Sequence, residues 1–184
     1  MGKIFISVDV ECAGSYPPEY SMLSLGAAVV GQPDKTFYVE LKPINDNYEL
    51  EALGVAGFTM EGAMEKGKAP EQAMTEFADW IDKVGKKRAK FVAFPAGFDW
   101  MFTNYYLLKY AGRNPFGIAP VDIRSVYFGM FPNDDGFTIR KDDMKKRLGL
   151  SSGHTHHALD DAKEQAEMFK RMLEIRDGNR VTLQ

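Results

Sequence analysis

The stretch Ile4-Phe5-Ile6-Ser7-Val8-Asp9-Val10-Glu11 stands close to the start of the chain. Residues 3–10 alternate and then run apolar, as a buried strand does. Asp9 and Glu11 are two apart, so on a strand their side chains leave the same face. That face is expected to be buried among Val and Ile, where an unpaired carboxylate is costly. Two acids held side by side repel, and a divalent cation is the simplest remedy. Oxygen-only ligands select a hard ion, Mg²⁺ or Mn²⁺, over zinc. A plainer reading puts Glu11 beyond the strand end, in solvent.

Outward from this strand, Gly14, Pro17 and Pro18 mark a loop. Residues 22–30 and 36–41 read as two strands around the turn signal Gly31-Gln32-Pro33-Asp34, which predicts a hairpin. Residues 45–68, with glycines at 54, 57, 62 and 67, read as irregular. Pro70 opens a helix through residue 84, with Ala73, Phe77, Trp80, Ile81 and Val84 at helical spacing. A short apolar strand over 91–94 leads to a helix over 98–111, stopped by Gly112. Residues 119–123 read as a last strand, and 141–148 as a short basic helix ended by Gly149. A final helix over 157–175 carries Ala158, Ala162, Ala166, Phe169 and Leu173 on one stripe, and the polar tail from Asp177 is expected to fray. Strands that first meander and then alternate with helices imply an α/β fold in one domain, a mixed β-sheet flanked by helices.

A chain of 184 residues suits one domain with a substantial core, and 45% hydrophobic with 27% charged content is ordinary for a soluble protein. No apolar run reaches the length of a membrane span, and the first residues lead directly into a strand. Neither a membrane partner nor a signal peptide is therefore expected, and the predicted location is cytoplasmic. Cys12 is the only cysteine, which excludes an intrachain disulfide. A net charge of −3 runs against polyanion binding, although acids covered by divalent cations make the local field matter more than the sum.

Further acids stand at the ends of neighbouring elements. Asp99 lies in Phe94-Pro95-Ala96-Gly97-Phe98-Asp99-Trp100, just inside a helix that follows a strand. Asp160 and Asp161 open the last helix in His154-Thr155-His156-His157-Ala158-Leu159-Asp160-Asp161-Ala162. Each has an ordinary explanation, since the helix dipole favours a first-turn acid by roughly 0.3–1 kcal/mol. Their joint occurrence with Asp9 and Glu11 points instead to a site that cleaves phosphodiesters with two metal ions.

On these segments the chain resembles the DEDDh-type 3′→5′ exonucleases of the ribonuclease H-like superfamily. The first motif lies on Ile6-Ser7-Val8-Asp9-Val10-Glu11, the second on Phe91 to Asp99, and the third, His-x-x-x-x-Asp, on His156 to Asp161. Order and spacing cover about residues 4–175, and the third motif is similar to that of small stand-alone bacterial exoribonucleases. The resemblance implies a ribonuclease H-like fold, with residues 1–176 as the exonuclease domain and 177–184 as a tail. It implies two Mg²⁺ or Mn²⁺ ions on Asp9, Glu11, Asp99 and Asp161, roughly 3.5–4 Å apart. His156 would take the proton from the attacking water. The implied product is a nucleoside 5′-monophosphate from the 3′ end of single-stranded RNA or DNA, with RNA preferred. Substrate contacts fall to Cys12, Ala13, Tyr16, Phe98 and Trp100, and homodimers are common in such a family. Cys12 stands where Thr is frequent, and Phe94-Pro95 where His-Asn is frequent. Both departures bear on contacts to the terminal nucleotide more than on metal binding. Pure helical geometry favours His157, four before Asp161, as the base, whereas the family spacing selects His156.

Weaker signals complete the reading. His154, His156 and His157 suggest zinc, but no second ligand cluster accompanies them. Tyr16, Trp100, Tyr105 and Tyr106 are candidates to stack on bases; Phe98, Phe102 and Tyr105 also fit a core stripe, which leaves Trp100 as the better stacker. Lys86-Lys87-Arg88 fits a solvated face equally well, while Arg140-Lys141 and Lys145-Lys146-Arg147 are expected to touch phosphates. Asp122 is expected to cap the helix after it. The competing functions are a DNA exonuclease of proofreading or repair type, a catalytically silent nucleic-acid-binding module, and, remotely, a structural zinc protein.

Overall fold

Strand β1 (Ile4–Cys12) is the axis of the fold in the computed structural model, which describes residues 2–132, 139–151 and 156–181. On one side it pairs antiparallel with β2 (Met22–Val29), which pairs antiparallel with β3 (Gln32–Glu40). On the other it pairs in parallel with β4 (Ala89–Ala93), and β4 with the short β5 (Val121–Asp122). The result is one mixed sheet in the order β3-β2-β1-β4-β5. The hairpin turn is tighter than the sequence suggests: Gly31, at φ 75°, closes it, and Gln32 and Pro33 already belong to β3. Pro33 is tolerated because β3 is an edge strand, where a missing N–H breaks no ladder.

Seven helices are described: α1 (Leu50–Ala56), α2 (Met60–Lys66), α3 (Pro70–Gly85), α4 (Ala96–Tyr110), α5 (Ile123–Met130), α6 (Lys141–Arg147) and α7 (Ala158–Val181). The segment 45–68, expected to be irregular, holds two of them. Gly57 ends α1 in the left-handed conformation, and the Thr59 hydroxyl caps α2 by accepting from the Gly62 N–H. Asp122 caps α5 as expected, its Oδ1 accepting the Ser125 N–H at 2.7 Å. Helix α7 continues through Val181, so residues 177–181 of the expected tail are helical. No helix among the described residues is long and apolar enough to cross a membrane.

The sheet separates two cores. Ile6, Val8 and Val10 of β1 pack with Phe77 and Ile81 of α3 and Phe102 and Tyr106 of α4. Val92 of β4 lies on the other side with Tyr127 of α5, Met144 of α6 and Phe169 and Met172 of α7. Because β1 alternates, Phe5 and both acids face α7, and the strand's own Val and Ile lie behind them. The expectation that the acids share a face with those residues is thereby corrected. Burying each Val or Ile stabilises by roughly 1.5–3 kcal/mol, which opposes the repulsion between the acids that β1 carries.

Candidate active site

Glu11 lies within β1, not beyond it, so the solvent-end reading of that residue is excluded. Its partners across the sheet place Glu11, Ser24 and Glu40 in one row, and Asp9, Gly26 and Tyr38 in the next. The first turn of α7 crosses the second row at Gly26, where a Cβ would collide with the backbone of Ala158 and Leu159. This close approach brings Asp161 down beside β1. One ligand oxygen each from Asp9, Glu11 and Asp161 lie within 4.8 Å of one another. On the far side of Gly26, His157 stacks on Tyr38 with ring centroids 4.7 Å apart.

Asp99 reaches the site from α4. Strand β4 accompanies β1 only as far as the Ser7–Val92 pair, which leaves the next part of β1 open on that side. There Asp99 Oδ1 accepts the Val10 N–H at 3.1 Å, and the side chain is buried. The structure thus gathers three of the four expected acids into one tight group and sets Asp99 beside it. Asp160 points elsewhere: it is exposed and pairs with His157 and Lys163, as a dipole-favoured acid would.

Burial raises the Asp9 carboxyl well above the usual carboxylate range, and Asp99, Glu11 and Asp161 add to the rise. Burial, and then Asp161, push Glu11 up to about 7. Asp99 is also raised, chiefly by burial, although the Val10 N–H opposes this. Such a group needs positive charge to stay ionised at neutral pH, and its oxygen-only donor set fits a hard divalent cation. Lys141 of α6 contributes some charge, its Nζ lying 2.8 Å from Glu164 Oε1 and 4.0 Å from Asp161 Oδ1.

Glu11 is the shared wall of two clefts. One, of about 360 Å³, is lined by Ser24, Tyr38, Glu40, Thr59, Lys66, His156 and His157 among others. The other, of about 320 Å³, is lined by Val10, Cys12, Gly14, Ser15, Val55 and Phe98 among others. His156 precedes α7 with a positive φ of 50°, an uncommon conformation for a residue with a side chain. His157 also precedes α7, and its carbonyl accepts the N–H groups of Asp160 and Asp161. His154 lies outside the described residues.

The expected substrate contacts divide. Phe98 is 37% exposed on a cleft wall, so its core-stripe reading is corrected. Trp100 is half-buried edge-on to Phe91, 5.0 Å away, which corrects its reading as the better stacker. Cys12 lines the second cleft, with its thiol held protonated chiefly by burial. Ala13 is fully buried; its N–H donates to Ser21 and its carbonyl accepts from Glu49, which ties the end of β1 to the start of α1. Tyr16 is exposed and edge-on to Tyr20, on neither cleft wall among the described residues. In the basic run of α6 and its N-cap, Lys141 and Lys145 pair with Glu164 of α7, while Arg140 and Lys146 are mostly exposed and lie near Asp143.

Gln165 is a residue of the site to which the sequence motifs alone assign no role. Its Nε2 donates to Asp9 Oδ1 at 2.7 Å and its Oε1 accepts the Phe94 N–H at 3.0 Å. Its position one turn beyond Asp161 was the available signal. Gly26 and the row Ser24–Glu40 gave no such signal, since their place depends on strand register.

With this geometry in view, the family model described as Exonuclease matches residues 6–169. The chain is 44% identical over 170 residues to the 3′-5′ DNA exonuclease Cap18 of Escherichia coli, covering 91% of this chain and 90% of that protein. The nuclease domain of 3′hExo, a DEDDh family member bound to rAMP, superposes with a TM-score of 0.75 at 18% identity, covering 94% of this chain and 92% of that one. The Pop2p structure from S. pombe in its Mg²⁺- and Mn²⁺-bound form has a TM-score of 0.62 at 16% identity, covering 92% of this chain and 82% of that one. A ribonuclease H-like sheet and an acidic group at the meeting of β1 and α7 are thus joined by a match along nearly the whole sequence, and the chain belongs to the exonuclease family.

Proposed function

We propose that this protein is a metal-dependent 3′→5′ exonuclease that releases nucleoside 5′-monophosphates from single-stranded nucleic acid. The observation that carries this reading is the convergence of Asp9, Glu11 and Asp161, with Asp99 beside them, next to two clefts that share Glu11. Asp9, Glu11, Asp99 and Asp161 are the residues that would hold two Mg²⁺ or Mn²⁺ ions. When bound, such ions polarise the scissile phosphate and stabilise the attacking and leaving oxygens. His156 accepts the proton of the attacking water, a role suited to an imidazole at neutral pH. His157 is occupied by its stack on Tyr38 and its contact with Asp160, 3.6 Å away. Phe98 and the apolar part of the second cleft offer a flat surface to the terminal base.

The third-motif run is similar to that of small exoribonucleases, which favours RNA. The relative at 44% identity is named a DNA exonuclease, which favours DNA as the second reading. Purified protein incubated with 5′-labelled single-stranded RNA and DNA of one sequence tests both at once. The expected result is stepwise shortening from the 3′ end, abolished by EDTA and restored by Mg²⁺ or Mn²⁺ but not by Zn²⁺ alone. Full activity in excess chelator would remove the metal-dependent reading, and the ratio of the two rates decides the sugar.

A further inference from the structure

Gln165 lies on α7 one turn beyond Asp161 and is 1% exposed. Both ends of its amide are engaged, with Phe94 N–H at 3.0 Å from Oε1 and Asp9 Oδ1 at 2.7 Å from Nε2. The orientation of the amide follows from the partners. A backbone N–H can only donate, so it must face the amide oxygen, and this turns the NH₂ group onto Asp9. An ionised carboxylate can only accept, so the same orientation satisfies both contacts.

The consequence falls on Asp9. A free aspartate carboxylate rotates broadly about its last torsion. Here one oxygen is tethered to α7, and through Gln165 to the end of β4. The other oxygen, and the remaining lone pair of the first, stay available to the group formed with Glu11 and Asp161. We propose that Gln165 is a positioning residue that fixes the plane of the Asp9 carboxylate and thereby sets the affinity of the acidic group for divalent cations. This inference rests on the metal-dependent reading above. Hydrogen bonds to ligating carboxylates from the surrounding shell change metal affinity by roughly 10–100-fold.

The test is Mn²⁺ binding by calorimetry, without nucleic acid, on the full chain and on Gln165→Met, which keeps the volume and removes both hydrogen bonds. The expected result is a Kd raised roughly 10–100-fold. In activity assays the half-saturating Mg²⁺ concentration should rise by a similar factor, with KM for the oligonucleotide at saturating Mg²⁺ unchanged. A structural role alone would lower Tm and leave the metal affinity in place. A folded Gln165→Met protein with unaltered Mn²⁺ affinity overturns the proposal. Should that variant not fold, the unmutated protein carries the test. The Gln165 side-chain amide resonance should shift as Mg²⁺ is added, with the midpoint of metal binding, and a resonance that does not respond overturns the proposal equally. The two readings fail separately. Normal affinity in an active Gln165→Met enzyme removes only the role of Gln165. A wild-type protein that binds Mn²⁺ but cleaves neither RNA nor DNA removes the exonuclease reading, while the affinity comparison still decides on Gln165.

Discussion

At the level of single residues, the proposed chemistry rests on one of two neighbouring histidines and on four acids. His156 and His157 line the same cleft; His157 is stacked on Tyr38, and the family spacing puts the base at His156. His156→Ala should therefore lose roughly 10²–10⁴-fold in single-turnover cleavage, with Mn²⁺ affinity nearly unchanged. His157→Ala should lose only a few-fold, through the lost stack. The reverse order of losses would assign the base to His157. The acids behave differently, because each is held among like charges. Asp9→Ala and Asp161→Ala should abolish hydrolysis, and each should raise the Tm of the metal-free protein by relieving repulsion. Near-normal turnover of either variant in saturating Mg²⁺ would remove that residue from the cation-binding set.

At the level of elements, the contact of α7 with the sheet at Gly26 decides whether Asp161 reaches β1. Gly26→Ala places a Cβ against the backbone of Ala158 and Leu159, which cannot rotate away. It should cost roughly 1–3 kcal/mol in urea unfolding and reduce cleavage further than the loss of stability explains. Gly54→Ala, inside α1 with open space around it, should instead stabilise by roughly 0.5–1 kcal/mol. Normal turnover in Gly26→Ala would show that α7 can shift without disturbing the site. The same elements show what was legible in the sequence. Strand β1 alternates and helix α3 is strongly amphipathic. Helices α4 and α7 are only weakly so, and were readable from the stop at Gly112 and from the stripe through Ala158, Ala162 and Ala166. The acids were readable with them. Helices α1 and α2 were hidden by glycines that serve partly as helix interior and partly as terminators. The core-stripe reading of Phe98 and the stacking reading of Trp100 both missed the rotation of α4, which turns Asp99 toward Val10. Each residue turns a helix by about 100°, so Phe98 falls toward the cleft and Trp100 toward Phe91. The row Glu11–Ser24–Glu40 could not be read, since adjacency across strands depends on a register that local pattern does not encode.

Across the whole molecule, the acidic group ties stability to pH and to cations. Burial, and then Asp161, push Glu11 up to about 7 in the folded protein from an ordinary value of 4.5. The folded state thus binds more protons than the unfolded chain between those values, and its stability falls as pH rises through that window. Asp9 and Asp99 are raised too and act in the same direction. In EDTA, Tm should therefore decline from about pH 5 to about pH 7.5, and excess Mg²⁺ should recover most of the loss at the upper end. A metal-free Tm that instead climbs over this range would contradict the charge arrangement. The bond between Asp9 and Gln165 has a further consequence, because it joins positions 156 residues apart. A chain grows from its N-terminus at roughly 5–20 residues per second, so β1 is made long before α7. A growing polypeptide that still lacks α7 has no Asp161 to complete the acidic group, however well its sheet has formed. On the proposed function, cleavage waits until α7 has been made, and a fragment that ends before α7 should leave nucleic acid uncut.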